Sequence, residues 1–201
     1  MLAGAFTLST AAPAAAQTEG PAAGVASAGV VKKRLHVRAG DRVAVVGVAR
    51  PAARGHVAAL QVRLRNRWRT IDRDRTAPSG RYVLRDRRHR AMSASARLKV
   101  GAVRRPLGRM NVYRWAHASW YGPGLYGNHL GCGGRLGYGT VGVAHKSLPC
   151  GSKVTFRHRG HTVRVRVIDR GPYVGGREYD LTEATARRLN FRGHGPILTT
   201  R

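Results

Sequence analysis

Cysteine is nearly absent from this chain, with two residues in 201. That is too few for a cysteine-rich zinc module or a miniprotein built on disulfides. Acidic side chains are almost as scarce, 9 Asp and Glu against 37 Lys and Arg, for a formal net charge of +28. Lysine is in turn rare among the cations, which divide into 32 Arg and 5 Lys. No apolar run reaches the roughly 18 residues of a membrane-spanning helix, so no transmembrane segment is expected. The nine histidines show neither HxH nor HExxH spacing, so no metal site and no cofactor is implied. Against these absences, a hydrophobic content of 42% is enough for packed cores, and the length suits one or two small domains.

The positive charge is spread over the whole chain. Residues 1–112 and residues 113–201 are both strongly basic, and arginines fall at alternate strand positions such as Arg63, Arg65, Arg67 and Arg69. A dedicated nucleic-acid binder would gather its cations on one face with aromatics between them. The pattern reads instead as a solvated basic surface that tolerates anionic polymers, those of a cell wall included.

The first 16 residues, MLAGAFTLSTAAPAAA, form an apolar stretch ending in small residues, with Ala14-Ala15-Ala16 as an A-x-A site. This resembles a secretory signal, although no Lys or Arg precedes the apolar part. Export to the cell exterior and association with the wall are the expectation. Residues 17–32 are Ala/Gly-rich and read as a flexible linker. From 33 to 112, short alternating runs (Arg42 to Val48, Val57 to Leu64, Arg81 to Leu84) are separated by turn signals at Ala39-Gly40-Asp41, Arg54-Gly55 and Pro78-Ser79-Gly80. A small β-sandwich is predicted, with Trp68, Ile71, Leu98 and Val100 in its core. It weakly resembles an immunoglobulin-like module, and spacing or adhesion is its expected task.

Beyond Met110 the composition changes, with Trp115, Trp120, most of the tyrosines and dense glycine. The stretch Ala118-Ser-Trp-Tyr-Gly-Pro-Gly124 suits either a sugar-binding groove or core packing. Only Asp169, Glu178, Asp180 and Glu183 supply carboxylates to this half. Asp169 ends the alternating run Thr162 to Ile168 and enters Arg170-Gly-Pro-Tyr173, where an acid–base role competes with simple turn formation. Asp180-Leu-Thr-Glu183 matches a capping box ahead of a helical run, Ala184 to Leu189, with Asp180 as N-cap and Glu183 as its reciprocal partner. Glu178 is expected to face solvent. His145 is either a catalytic neighbour or a satisfied structural imidazole. Cys132 and Cys150 lie 18 positions apart and bracket the loop leading to His145. A disulfide there would fix that loop, and a reactive thiol is the alternative.

Four motifs in order resemble the rare lipoprotein A family. They are Ala118-Ser-Trp-Tyr-Gly-Pro-Gly, Gly142-Val-Ala-His-Lys-Ser-Leu-Pro, Val167-Ile-Asp-Arg-Gly-Pro-Tyr and Tyr179-Asp-Leu-Thr. The resemblance implies an all-β chain whose residues 113–201 form a six-stranded double-psi β-barrel, shared with the expansins, bearing an open polysaccharide groove. It further implies a monomeric wall protein that binds peptidoglycan and cuts the MurNAc–GlcNAc linkage as a lytic transglycosylase, without a cofactor. Asp169 would be the acid–base residue, His145 its neighbour and Asp180 an accessory carboxylate. Trp120, Tyr121, Tyr173 and Arg170 would bind the glycan. The alternative within the same resemblance is a non-catalytic, expansin-like module that loosens the wall by binding. One departure stands out. The family often reads N-x-T-A-C-G before the first cysteine, whereas this chain has Asn128-His-Leu-Gly-Cys-Gly133, so Leu130 replaces a threonine hydroxyl expected to face the groove.

Overall fold

The computed structural model describes residues 24–52 and 54–201. The signal-like segment 1–16 and the first part of the expected linker lie outside the described residues. Strands are the dominant regular structure of the described residues, with one short helix, as expected for an all-β protein. Strand β1 (Ser27–Arg34) pairs antiparallel with β3 (Arg42–Arg50), which pairs with β6 (Arg81–Arg87). Facing them is a second sheet of β5 (Arg67–Arg75), β4 (Val57–Leu64), β7 (Met92–Val100) and β8 (Val103–Tyr121). Strand β2 (His36–Arg38) lies parallel to β8 at its edge. Both sheets alternate apolar and polar residues, and their inward sets, such as Val43, Val45, Leu60, Leu84 and Leu98, share one core.

Two expectations for this region need correction. The segment 17–32 is not linker throughout, because β1 starts at Ser27 and buries Ala28. Its small and charged side chains hide the strand, which is held by backbone pairing with β3. Trp68 is not in the core. It is half-buried on the outer face of the edge strand β5, with the Arg97 guanidinium 4.1 Å from its ring centroid. The expected border at 112/113 lies within one unbroken strand, at the point where that strand changes partners. Residues 103–112 of β8 pair with β7, and residues 114–121 pair with strands of the next unit.

That next unit contains the second half of β8 with β9 (Val143–Ala144), β10 (Lys153–His158), β11 (His161–Asp169), β12 (Tyr179–Thr182) and β13 (Gly195–Thr199), six strands in all. Two of its pairings are parallel, β11 with β9 and β12 with β8. The core is separate from the first, with Phe156, Val167, Tyr179, Leu181 and Ile197 fully buried. One short helix, α1 (Glu183–Arg188), follows β12.

Candidate active site

Alternation along β8 sorts its side chains into two sets. Ala116, Ala118 and Trp120 face the barrel core, while Trp115, His117, Ser119 and Tyr121 face outward. On the outward side, the strand register sets four residues in a row. Asp169 pairs with Ala144, Ala144 with Asp180, and Asp180 with Ser119. Paired residues project to the same side of a sheet, so the two carboxylates flank a methyl group that fills little space.

Asp169 reaches this row through a β-bulge. Val165 and Val167 point into the core, so strict alternation would aim Asp169 inward as well. Between Val167 and Asp169 the register with β9 shifts by one residue, and the inserted Ile168 turns Asp169 outward. Gly142 makes the bulge possible, since a Cβ there would land on the Ile168 side chain. The Asp169 Oδ1 accepts backbone N–H bonds from Gly131 at 2.7 Å and from Arg170 at 2.8 Å. Its Oδ2 accepts no bond at full hydrogen-bond geometry among the described residues.

Asp180 is half-buried, and its Oδ1 accepts the Ser119 hydroxyl at 2.8 Å. Burial raises its pKa; the Ser119 bond and the Arg177 charge oppose this, and the Asp169 charge adds to it. The Tyr121 hydroxyl is buried and has no partner at full hydrogen-bond geometry among the described residues. It lies close to both carboxylates, and burial followed by the Asp169 charge pushes its pKa far up, so it remains a protonated donor beside them. Asp180 is not a helix cap. It lies within β12, and Thr182 caps α1 by accepting the Thr185 N–H. Glu183 receives Tyr126 and Arg187, and Glu178 is half-buried in a pair with Arg114, not free in solvent.

His145 is close in sequence register but is turned elsewhere. Its backbone N–H reaches the Asp169 carbonyl at 3.2 Å. Its ring packs on Tyr179 at 4.9 Å, and Nδ1 accepts the N–H groups of Ser147 and Leu148 at 3.1 and 3.0 Å. Two donors on Nδ1 place the neutral ring's proton on Nε2. Burial lowers the pKa; the Glu178 charge opposes this, and Arg114, Arg170 and Lys146 assist it. With His117, Arg177 and Glu178 the residue lines a concavity beside the carboxylate row.

The expected glycan-binding set divides. Tyr121 lies beside the row, two residues beyond Ser119 on the same face of β8, and Tyr173 is 80% exposed in the loop after Asp169. Trp120 belongs to the core-facing set and lines a different hollow with Glu183, Arg187 and Phe191. Arg170 is committed to the protein itself, donating to the carbonyls of His145 (3.1 Å) and Leu148 (2.8 Å) and to Cys150 Sγ (2.8 Å). Cys132 and Cys150 form a disulfide with Cα atoms 5.5 Å apart, tying the loop that carries Gly131 to the loop that Arg170 grips. Gly131 is needed there, because a Cβ would sit 2.8 Å from Arg170 Cγ. Leu130 is only 9% exposed, so it presents no group to a groove. Sequence reasoning missed Ser119 and Gly131. Ser119 was discoverable from the two-residue period of β8, whereas nothing in the sequence marks the Gly131 amide. Among the described residues, no three His, Cys, Asp or Glu side chains group as a metal site.

Residues 115–199 match the family model described as a lytic transglycolase. This part of the chain folds as a double-psi barrel and is similar to RlpA proteins. Similar proteins include the "Probable endolytic peptidoglycan transglycosylase RlpA" of Synechocystis sp., 42% identical over 80 residues, which are 39% of this chain and 25% of that protein. The "Endolytic peptidoglycan transglycosylase RlpA" of Neisseria meningitidis is 41% identical over 81 residues, 39% of this chain and 34% of the relative. Its namesake in Pseudomonas aeruginosa is 35% identical over 99 residues, 48% of this chain and 29% of the relative. The chain thus spans well under half the length of these relatives, and the RlpA-like barrel is the shared part.

Proposed function

We propose that the RlpA-like barrel binds peptidoglycan glycan strands and cuts them as an exported, monomeric lytic transglycosylase with Asp169 as its one acid–base group. The observation that carries this reading is the bulge that delivers Asp169 to the outward row, with one carboxylate oxygen fixed by two amides and the other left for a proton. In the reaction, Oδ2 of Asp169 protonates the glycosidic oxygen as the C1–O bond breaks. The sugar's own C6 hydroxyl then bonds to C1 and returns its proton to Asp169. One carboxyl therefore serves twice, no water is consumed, and the anhydro-sugar product carries the new ring. Asp180 with Ser119, and the Tyr121 hydroxyl, surround the developing positive charge at C1 with oxygen. His145 is read as a neighbour that helps hold the glycan from the concavity it lines with His117 and Arg177. Tyr173 supplies an exposed ring at the mouth. The names of the relatives support peptidoglycan as substrate and, with it, a location outside the cytoplasm.

The first unit is read as immunoglobulin-like; its two facing sheets, β1-β3-β6 and β5-β4-β7-β8 with β2 beside β8, support that reading. Its task is to space the barrel from whatever precedes it. The expansin-like, binding-only reading draws on one observation, the loop 128–133, which offers Asp169 a backbone amide and a buried leucine but no hydroxyl. Digestion of purified sacculi, followed by mass spectrometry of the soluble products, separates the two. Release of anhydro-sugar fragments, lowered by about 100-fold or more in Asp169→Asn, is the expected result. Wild-type protein that sediments with sacculi and releases nothing would make it a binder.

A further inference from the structure

The outward face of β8 does not end at the carboxylate row. Counting back from Tyr121, the same side carries Ser119, His117 and Trp115, with no bulge between them in the pairing to β12 and β13. At about 3.3 Å per residue, Trp115 lies about 20 Å from Tyr121, several sugar rings away. Trp115 is 57% exposed, against the usual burial of so large an aromatic group. It forms one wall of a concavity of about 690 Å³ whose other walls include Arg157, Arg159, Arg192 and His194. Among the described residues lining it there is no carboxylate. The ground between is also open. His117, 6.1 Å from the His194 ring, lines the next hollow together with His145, Lys146, Arg177 and Glu178, whose charge is paired with Arg114.

We infer that Trp115 and its arginine rim form a distal subsite for an acidic glycan strand, on one continuous track that leads along β8 to Asp169. The exposed indole face stacks on a pyranose ring, and the guanidinium groups take the anionic substituent that the sugar carries. This inference rests on the glycan-binding reading above and extends it. The anion has two possible sources with one chemistry, the carboxylates of stem peptides or the phosphates of a polymer attached to the wall.

The test is sedimentation with intact sacculi, in an Asp169→Asn background so that strands are not cut during the measurement. Trp115→Ala weakens binding by roughly tenfold, and Trp115→Phe, which keeps a stacking ring, recovers most of the loss. Arg159→Ala with Arg192→Ala weakens binding and reduces its dependence on salt. The charge-matched pair Arg81→Ala with Arg85→Ala, exposed on β6, leaves binding in place. Sacculi stripped of phosphate polymers bind less if phosphate is the anion and equally well if it is the stem carboxylate. Unchanged binding by Trp115→Ala, or equal losses from the two arginine pairs, would overturn the subsite while leaving the Asp169 reading intact. Sacculi that capture neither the background variant nor the wild type would end both.

Discussion

Two side chains at the carboxylate row, His145 and Asp180, carry opposite kinds of obligation, and their substitutions separate chemistry from support. The His145 Nδ1 accepts two backbone N–H groups, so His145→Ala leaves the exposed Ser147 N–H to water and the half-buried Leu148 N–H short of a partner, costing about 1 kcal/mol of stability, read as a lower urea midpoint. His145→Asn, which offers an acceptor at similar reach, recovers part of that loss. The folded-state pKa of His145 is depressed, as is that of His36 in the first unit, in both cases first by burial. The unfolded chain therefore takes up protons on these rings first, and their contribution to stability is complete above about pH 6.5 and drains away below it. Urea midpoints measured from pH 7.5 to 5 should fall, and His145→Asn should flatten part of the slope. Asp180 has the other sign. Its pKa is raised by burial, so the native state holds that proton more tightly than the unfolded chain, and its ionised form at neutral pH is a net cost. Asp180→Asn keeps an acceptor for Ser119 and raises the midpoint at pH 7, while slowing release of anhydro-sugars. Loss of stability in that variant would mean the carboxylate is held by attractions stronger than its desolvation. The scarcity of carboxylates made these candidates legible from sequence, because four residues in the second half exhaust the choice. What each one touches was not legible. Asp180 reads as a cap because D-x-x-E precedes a helix, yet β12 runs through it and passes the capping position to Thr182.

At the level of the element, the bulge and the disulfide do the positioning. Ile168 occupies the space that a Cβ on Gly142 would take. Gly142→Ala must push Ile168 aside, with an overpacking cost of about 1–3 kcal/mol, and Asp169 moves with it. The expected signature is loss of glycan cleavage larger than the loss of binding, in a protein that still folds, checked by parallel digestion and sedimentation. The Cys132–Cys150 bond closes a loop whose 18-residue separation corresponds to about 3 kcal/mol of lost denatured-state freedom. Replacing both cysteines with serine should lower the unfolding midpoint by that order. It should also slow cleavage, because the Gly131 amide that fixes Asp169 Oδ1 rides on the released loop. Full activity after reduction would show that Arg170, through its bonds to His145, Leu148 and Cys150, suffices to hold the site. Regular alternation exposed most strands to sequence reading, including β3, β4 and β6. A bulge is invisible to the same reading, since one inserted residue looks like the ordinary end of a strand. Trp120 shows the converse: its motif suggests a groove, but the parity of β8 sends it to the core side with Ala116 and Ala118.

For the whole molecule, the decisive feature is that β8 has no break. Ten of its residues complete the first unit's sheet by pairing with β7 and β2, and the remainder pairs with β13 and β12. Tyr113, 1% exposed, sits at the crossing, where its hydroxyl meets Asn111 from the same strand. A composition shift near Met110 marks the change of unit in the sequence, but composition cannot reveal that a single strand serves both sides of that change. A flexible linker would let the two cores unfold separately and the basic surfaces tumble independently. A shared strand instead transmits the fraying of one sheet into the other and fixes the angle at which the barrel is presented. Inserting six Gly and Ser residues between Tyr113 and Arg114 should therefore split one calorimetric unfolding transition into two and broaden the small-angle scattering distance distribution. Cleavage of short soluble glycans should survive the insertion, since every residue of the row lies beyond it, whereas cleavage of intact sacculi should fall if a fixed presentation angle matters there. A wild-type chain that already unfolds in two well-separated steps would show that β8 joins the units without coupling them.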